Sequence, residues 1–185
     1  MIDEAIAAIR DGLVVGLPTD TVYGIGADPF DFEAVERLFD LKGRPEGKPV
    51  GLLVASIDQA IEIGDMGEIA TDLARRHWPG ALTLIVSPRV VMADWVGDRQ
   101  RRTIGLRVPD HPVALDLLGG AGPLAVTSAN VSGGAETMDA GAARMIFGDG
   151  VAVYLDGVVP GGQASTVVDV TGGTPVVIRE GPVSL

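Results

Sequence analysis

The chain has 185 residues, a net charge of −11 and no cysteine, and 46% of its residues are hydrophobic. Its length and apolar content suit one folded domain and exclude a disordered chain. The lack of cysteine excludes disulfides and thiolate metal sites. No apolar run is long enough to span a membrane, and the first residues lack the basic start of a signal peptide. We therefore expect a cytoplasmic protein without a membrane segment.

The hydrophobic pattern predicts alternating helices and strands. A helix begins near Ile2 and ends at Gly12, and the apolar run 13–17 is the first strand. Further helices are expected at 31–41, after Ser56, at 68–77, from an N-cap at Asp110 to 118, and at 139–147. Further strands are expected at 50–55, 81–86, 103–108, 124–127, 151–155, 166–170 and 175–179. This order predicts an α/β or α+β fold with a mixed sheet.

The segment 17–26 (Leu-Pro-Thr-Asp-Thr-Val-Tyr-Gly-Ile-Gly) is unusually rich in polar groups for a turn. It follows the first predicted strand, and we expect it to lead into a helix. Open α/β sheets bind ligands beyond the carboxyl ends of their strands. The hydroxyls of Thr19 and Thr21 and the side chains of Asp20 and Tyr23 therefore mark a candidate ligand loop.

Basic residues are concentrated in two segments, 42–48 and 99–107, although the chain as a whole is acidic. Lys42 and Arg44 alternate on an extended segment and are expected to face one anion, with Lys48 close behind. Such patches suit a small polyanion such as a nucleotide. The alternatives are a solvated charged surface and, for Lys42, a basic residue that balances the helix dipole.

Three later segments carry weaker signals. The loop from Ser128 to Gly134 follows a strand and offers hydroxyls, the Asn130 amide and backbone N–H groups to an anion, or else forms a simple hydrogen-bonded turn. Thr103 and Arg107 lie on one side of a predicted strand, and an inward Arg107 needs an anionic partner. The segments 165–169 and 178–181 place hydroxyls and an arginine at the ends of late strands.

Several common catalytic chemistries are excluded by the sequence. It contains no Walker A motif, no complete dinucleotide fingerprint and no nucleophile elbow. The two histidines, His77 and His111, are far apart and belong to no metal-ligand motif. We interpret His77 as a packing residue and His111 as part of a helix start. Any activity must therefore depend on positioning and on charge stabilisation.

Taken in order along nearly the whole chain, these segments resemble the YrdC-like family. The resemblance is carried by 18–26, Lys42-Gly43-Arg44-Pro45, Trp78-Pro79-Gly80-Ala81-Leu82-Thr83, Arg107-Val108-Pro109-Asp110-His111-Pro112, Ser128-Ala129-Asn130-Val131-Ser132-Gly133, Ser165-Thr166-Val167-Val168-Asp169 and Ile178-Arg179-Glu180-Gly181.

The resemblance implies a twisted, open mixed sheet with flanking helices and a concave basic cavity. It also implies a nucleotidyltransferase that forms threonylcarbamoyl-AMP and pyrophosphate from L-threonine, bicarbonate and ATP, with Mg²⁺ expected beside ATP. The product would feed a tRNA threonylcarbamoyl-transfer complex that modifies adenosine 37. Direct RNA binding is expected to be weak or absent. The length matches the catalytic domain alone, so residues 1–185 are expected to form one domain without an additional C-terminal domain.

The resemblance also assigns site residues. Catalytic roles would fall to Lys42, Arg44 and Asn130. Threonine would be bound by Thr21, Tyr23, Arg107 and Ser165, and ATP by Arg44, Lys48, Thr103, Ser128, Asn130 and Arg179; no residue is expected to hold a resident metal.

Two positions depart from the family pattern. Some members have a threonine-contacting histidine in the strand after the Lys-x-Arg motif, where this chain has the apolar segment 50–54. Glu136 stands where many long members have a small hydroxyl residue near ATP. Alternative functions are a noncatalytic RNA-binding or ribosome-maturation module, against which the charge of −11 argues, and carbamoyl-adenylate transfer to another acceptor.

Overall fold

The computed structural model describes residues 1–43 and 49–185 of the chain. The helices in these residues are α1 (Ile2–Arg10), α2 (Phe32–Lys42), α3 (Ile57–Ile63), α4 (Gly67–His77), α5 (Pro112–Ala121) and α6 (Ala140–Phe147), and a 3₁₀ turn covers Gly148–Gly150. The strands are β1 (Val15–Leu17), β2 (Gly24–Ala27), β3 (Gly51–Leu53), β4 (Leu82–Val86), β5 (Ile104–Arg107), β6 (Leu124–Ser128), β7 (Val153–Tyr154), β8 (Thr166–Asp169) and β9 (Val176–Arg179).

All strands of the described residues belong to one sheet, in the order β7-β1-β2-β6-β3-β5-β4-β8-β9. The pairs β1/β7, β3/β5 and β4/β8 are parallel, and the other neighbours are antiparallel. This mixed pairing confirms the predicted α/β fold. The central strands come from distant parts of the sequence, so the sheet brings widely separated motifs onto one surface.

Short polar side chains begin several helices, as the sequence predicts. Asp31 accepts hydrogen bonds from the backbone N–H groups of Glu33 and Ala34, and Ser56 accepts one from Gln59 N at 3.2 Å. The helix α2 ends at Gly43, whose φ of 55° lies in the left-handed region that favours glycine. These caps satisfy backbone groups that helix ends leave unpaired.

Three sequence predictions about where helices and strands begin or end are wrong. The segment 17–26 does not lead directly into a helix: residues 24–27 form β2, which pairs antiparallel with β1. Asp110 does not cap α5, because the N-cap is His111 and Pro112 occupies the first turn. The helix also continues through Gly119 and Gly120 to Ala121. Helix α1 packs closely over Gly120, where a Cβ would collide with Ile6, so this glycine serves helix packing rather than termination.

The apolar residues form two clusters. The larger one includes Ile25, Leu38 and Leu84, and the smaller one lies between α1, α5 and the β1 end of the sheet, where Val15 and Leu117 are fully buried. The burial of Val35, Leu38 and Phe39 in α2 confirms the predicted inner face of that helix. Among the described residues, no helix is both long enough and apolar enough to cross a membrane.

Candidate active site

A cavity of about 510 Å³ lies across the sheet from β2 to β9. Its wall contains hydroxyls, arginines and apolar side chains from nearly every central strand and from the loops beside them. The lining side chains include Leu53 and the polar or charged residues Thr19, Thr21, Thr83, Arg101, Thr103, Arg107, Ser128, Glu136, Ser165 and Arg179. This volume suits a small-molecule site.

Glycines on three sheet strands keep the cavity open. Gly24 on β2, Gly51 on β3 and Gly105 on β5 all line it. A Cβ on Gly51 would lie 3.0 Å from the carbonyl oxygen of Gly105, so a larger residue there would press on the backbone of the neighbouring strand. The small residues therefore leave room for a ligand on the sheet surface.

The loop between β1 and β2 is a tight hydroxyl turn. Thr19 Oγ1 accepts from the backbone N–H groups of Thr21 (3.1 Å) and Val22 (3.2 Å) and donates to Val22 O at 2.7 Å. The Thr19 and Thr21 hydroxyls lie 3.0 Å apart, and either of them can be the donor in this contact. Thr21 also lines the cavity.

Arg107, the last residue of β5, is the most constrained cation of the cavity. Its Nε donates to Gly80 O at 3.0 Å, its Nη1 donates to Thr21 Oγ1 at 2.9 Å, and its Nη2 contacts the carboxylate of Asp20. The Arg107 side chain is only 8% exposed, and burial lowers its pKa while the charge of Asp20 opposes that shift. The predicted anionic partner of Arg107 is therefore Asp20.

Ser165 and Arg179 form a second polar group on the cavity wall. Arg179 donates from Nε and Nη2 to Ser165 O at 3.0 and 2.8 Å, and the Ser165 hydroxyl lies 2.8 Å from Thr83 Oγ1. The backbone of Gly181 packs directly against residues 164–166, where a Cβ would lie 2.6 Å from Ala164 O. This close approach explains the glycine that follows Arg179 in the Ile-Arg-Glu-Gly motif.

Lys42 joins α2 to the loop after β6. Its ammonium contacts Ser128 O, lies 3.2 Å from Ser128 Oγ and lies 2.5 Å from Asn130 Oδ1. Asn130 also accepts from Ser128 Oγ at 2.7 Å and donates to Gly134 O at 2.6 Å. Ser128 lines the cavity, while Lys42 and Asn130 are buried behind it. Their contact with a reacting group therefore stays a prediction.

Arg101 is a cavity residue that sequence reasoning did not select. Its Nη2 donates to Asp169 Oδ2 at 2.8 Å, and its backbone N–H is held by Asp98 Oδ1 at 3.0 Å. Thr103, whose backbone pairs with that of Asp98, lines the same wall. The cluster of arginines in the sequence was the available signal. The sequence alone does not show which of these arginines pairs with the buried Asp169 on β8.

Tyr23 does not line the cavity, which corrects the prediction that it shapes a threonine pocket. Its ring is fully buried in the larger core cluster, and its hydroxyl donates to Leu155 O at 2.8 Å. Desolvation raises the pKa of this phenol far above its usual value. The turn at Thr19 breaks the alternation of side chains before β2, so Thr21 and Tyr23 point to different surroundings despite their spacing of two.

The remaining predicted site residues fall into two groups, those that line the cavity and those outside the described residues. Thr21, Thr103, Arg107, Ser128, Ser165 and Arg179 are brought to one cavity, as the sequence pattern suggested. Arg44 and Lys48 lie outside the described residues. Glu136 lines the cavity, and Leu53 occupies the apolar wall in the strand after the Lys-x-Arg motif.

The fold and this cavity define an α/β domain with an open, arginine- and hydroxyl-lined site for an anionic small molecule. The chain belongs to the Sua5/YciO/YrdC family, whose profile, described as "Telomere recombination", matches residues 7–181. The family assignment that the motif order suggested is therefore confirmed.

Curated relatives share a name. The chain is 50% identical over 184 residues to a putative threonylcarbamoyl-AMP synthase of Mycobacterium tuberculosis, covering 98% of this chain and 84% of that protein. It is 37% identical to the threonylcarbamoyl-AMP synthase of Bacillus subtilis, covering 99% of this chain. It spans about half (54%) of the length of the Bacillus protein.

Solved structures agree with the fold. Pyrococcus abyssi Sua5 complexed with L-threonine superposes with a TM-score of 0.90 at 36% identity, covering 97% of this chain and 54% of that one. Escherichia coli YciO gives a TM-score of 0.89 at 30% identity, covering 99% of this chain and 90% of that one. These matches confirm the predicted sheet architecture.

Proposed function

We propose that this chain is an L-threonylcarbamoyladenylate synthase, which forms threonylcarbamoyl-AMP and pyrophosphate from L-threonine, bicarbonate and ATP. The observation that carries the proposal is that one cavity holds two arginine–hydroxyl pairs on its wall, Arg107 with Thr21 and Arg179 with Ser165. The names of the curated relatives and the threonine bound to the Pyrococcus protein support this choice of reaction.

Threonine is assigned to the Thr21–Arg107 side. A planar guanidinium suits a carboxylate, and Thr21 Oγ1 is available as an acceptor for a ligand hydroxyl or amine proton. Ser165 is the third residue proposed to bind the threonine substrate, because its hydroxyl lies on the cavity wall between Thr83 and Arg179. Tyr23 has no direct part in it.

In this proposal ATP is bound by the cavity residues Thr103, Ser128 and Arg179. Arg44 and Lys48, which lie outside the described residues, are proposed to contact ATP as well. Lys42 and Asn130 support the phosphate and carbamate environment by holding the loop that presents Ser128. The proposed catalytic set is Lys42, Arg44 and Asn130, and the described members of that set meet at Ser128.

The reaction brings two anions together. Threonine amine and bicarbonate form a carbamate with loss of water, and one carbamate oxygen attacks the α-phosphorus of ATP while pyrophosphate leaves. Fixed cations and hydroxyls offset the repulsion between these reactants and stabilise charge on the transferring phosphoryl group. A cavity with Arg101, Arg107 and Arg179 on its wall supplies such groups without a histidine-activated nucleophile.

Mg²⁺ is expected to enter as part of the ATP substrate. The described residues contain no group of three or more histidine, cysteine, aspartate or glutamate side chains able to hold a metal ion. The ligands of a divalent cation would then come mostly from phosphates and water, which is the usual preference of Mg²⁺. No step of the proposed mechanism depends on a protein-held metal.

The product is expected to pass to a tRNA threonylcarbamoyl-transfer complex in the cytoplasm. A mixed anhydride of a carbamate and AMP is a reactive acyl donor, so a downstream acceptor enzyme is required by its chemistry. The charge of −11 favours weak or absent RNA binding by the chain itself.

Pyrophosphate release tests the proposal directly. We expect release from ATP only when L-threonine and bicarbonate are both present, together with threonylcarbamoyl-AMP detected by mass spectrometry. Arg107→Ala should lose most of the threonine-dependent release at threonine concentrations that saturate the unmodified protein. Release without threonine would contradict the threonine assignment. RNA binding that survives saturating ATP and threonine, with a steep salt dependence, would favour the RNA-binding alternative.

A further inference from the structure

Asp20 has a position in the site that the proposed function leaves unexplained. Its carboxylate contacts Nη2 of Arg107 and accepts the backbone N–H of Asp110 at 3.1 Å. The two paired side chains are 8% and 12% exposed, so water screens the pair little. Asp20 is nevertheless absent from the cavity wall, on which Thr19 and Thr21 both lie.

The contacts of Arg107 fix the plane of its guanidinium. Of its five N–H donors, one goes to Gly80 O, one to Thr21 Oγ1 and one to Asp20. These acceptors come from three different segments of the chain. One donor on Nη1 and one on Nη2 remain, which is the number that a carboxylate accepts from an arginine fork.

The burial of Arg107 makes the counter-charge of Asp20 necessary. Desolvation, and to a lesser extent the charge of Arg179, lower the pKa of Arg107, and Asp20 opposes both effects. A buried guanidinium that loses its partner is strongly destabilised and turns toward any other acceptor or toward water. Asp20 is the only acidic side chain that the structure places against Arg107 within the described residues.

We propose that Asp20 is a positioning residue for the ligand-binding arginine of this site. It holds Arg107 so that the two remaining N–H groups face the cavity, and it ties the Thr19–Thr21 turn to the chain at Asp110. Thr21 and Arg107 then contact the same ligand. The identity of that ligand as L-threonine rests on the proposed function, whereas the positioning of Arg107 does not.

The competing expectation is that Asp20 weakens ligand binding. A carboxylate beside Arg107 also repels an anionic ligand, so removal of the Asp20 charge would then lower the threonine KM. The two effects are separated by Asp20→Asn, which keeps the shape and the acceptor for Asp110 N but removes the charge. Asp20→Glu keeps the charge on a chain one methylene longer.

Steady-state kinetics of both variants test the proposal. We expect Asp20→Asn to raise the threonine KM about 10- to 100-fold, the scale of effect that a misdirected binding group produces, with the ATP KM unchanged within about twofold. Asp20→Glu should recover most of the threonine affinity. Asp110→Asn is the matched control, because it removes a neighbouring negative charge from an exposed side chain without a bond to Arg107. A lower threonine KM in Asp20→Asn, or equal losses for threonine and ATP, would overturn the proposal.

A second readout does not depend on the reaction. In ¹⁵N NMR spectra, the Arg107 Nη groups should rotate slowly in the unmodified protein and rapidly in Asp20→Asn, with the signals assigned by comparison with Arg107→Lys. Unchanged Arg107 signals would contradict the positioning role. If the protein neither binds nor converts threonine but the Arg107 signals change as expected, the proposed substrate fails while the role of Asp20 stands.

Discussion

The ammonium of Lys42 lies 2.5 Å from Oδ1 of Asn130, so the last residue of α2 is tied to the loop that follows β6. The same ammonium contacts Ser128, whose hydroxyl bonds to Asn130. The positive charge of Lys42, the first residue of the Lys-x-Arg motif, therefore lies against the Ser-x-Asn motif. The contacting residues Lys42 and Asn130 are 88 positions apart in the sequence.

Lys42→Met should weaken both the fold and the use of ATP. The buried oxygens of Asn130 and Ser128 lose a charged donor, which costs about 1–3 kcal/mol of unfolding free energy. The loop that presents Ser128 then loses its anchor, so kcat/KM for ATP should fall further than kcat/KM for threonine. Urea unfolding and initial rates measure the two effects.

Arg10→Met is the control for Lys42. Arg10 also lies in the last turn of a helix but is exposed, so it tests the alternative that Lys42 only balances the helix dipole. Its loss should cost at most about 1 kcal/mol and leave the ATP kinetics unchanged. Equal stability losses for both variants, with normal ATP kinetics, would favour the dipole interpretation.

Arg107 and Arg179 should affect different substrates. Arg107→Lys keeps the charge but loses the planar fork, so we expect the threonine KM to rise about tenfold, with a smaller change in the ATP KM. Arg179→Lys should show the reverse pattern. Initial rates with one substrate varied and the others saturating measure the KM for each substrate. Equal shifts in both constants from both variants would contradict it.

Much of the fold follows from local sequence signals. The predicted helices at 31–41, 68–77 and 139–147 agree with α2, α4 and α6 within a residue or two, because apolar periodicity and capping side chains act over short distances. The strand β2 was missed because its sequence, Gly-Ile-Gly-Ala, has little intrinsic strand preference. Its pairing with β1 and β6 is what makes it a strand.

The site was predictable as a set of motifs but not as a set of contacts. Thr103 and Arg107 share a strand face, and spacing alone brings them to one wall. Asp20 and Arg107 meet only through the loop between β1 and β2, and Asp169 reaches Arg101 only because β8 pairs with β4. Tyr23 was misplaced because a hydroxyl turn changed the side-chain alternation. Such relationships depend on strand order, which the local pattern does not contain.

Glu136 should limit the affinity for ATP. Its exposed carboxylate lines the same cavity as Ser128, where it opposes the charge of a triphosphate. Because the side chain is exposed, water screens it, and Glu136→Gln should lower the ATP KM by only about two- to fivefold. The gain should shrink as salt rises from low to high concentration. Glu68→Gln, an exposed substitution on α4, should leave the ATP KM unchanged; a comparable gain there would indicate a general charge effect.

Asp169 should make stability depend on pH in the acid range. Its Oδ1 accepts from Thr171 N at 2.9 Å and from Thr171 Oγ1 at 2.6 Å, and its Oδ2 accepts from Arg101. Burial favours the neutral carboxyl, but these hydrogen bonds and the Arg101 charge prevail and lower the pKa of Asp169. A carboxyl with a lower pKa in the folded state stabilises the fold above its unfolded pKa of about 3.9. That contribution is lost as the pH falls through the folded value.

Asp169→Asn should therefore be less stable than the unmodified protein at pH 7, and the difference should narrow on acidification below about pH 4. Urea unfolding at several pH values measures the difference in unfolding free energy between the two proteins.

Asp72→Asn is the matched control, because Asp72 pairs with Arg76 at 2.7 Å on an exposed face of α4. Such a pair contributes only about 0.3–0.5 kcal/mol, so that difference should stay small at every pH. A constant difference for Asp169→Asn between pH 7 and pH 3 would show that the carboxylate charge does not stabilise the fold. In that case Arg101 would be held at the cavity by hydrogen bonding alone.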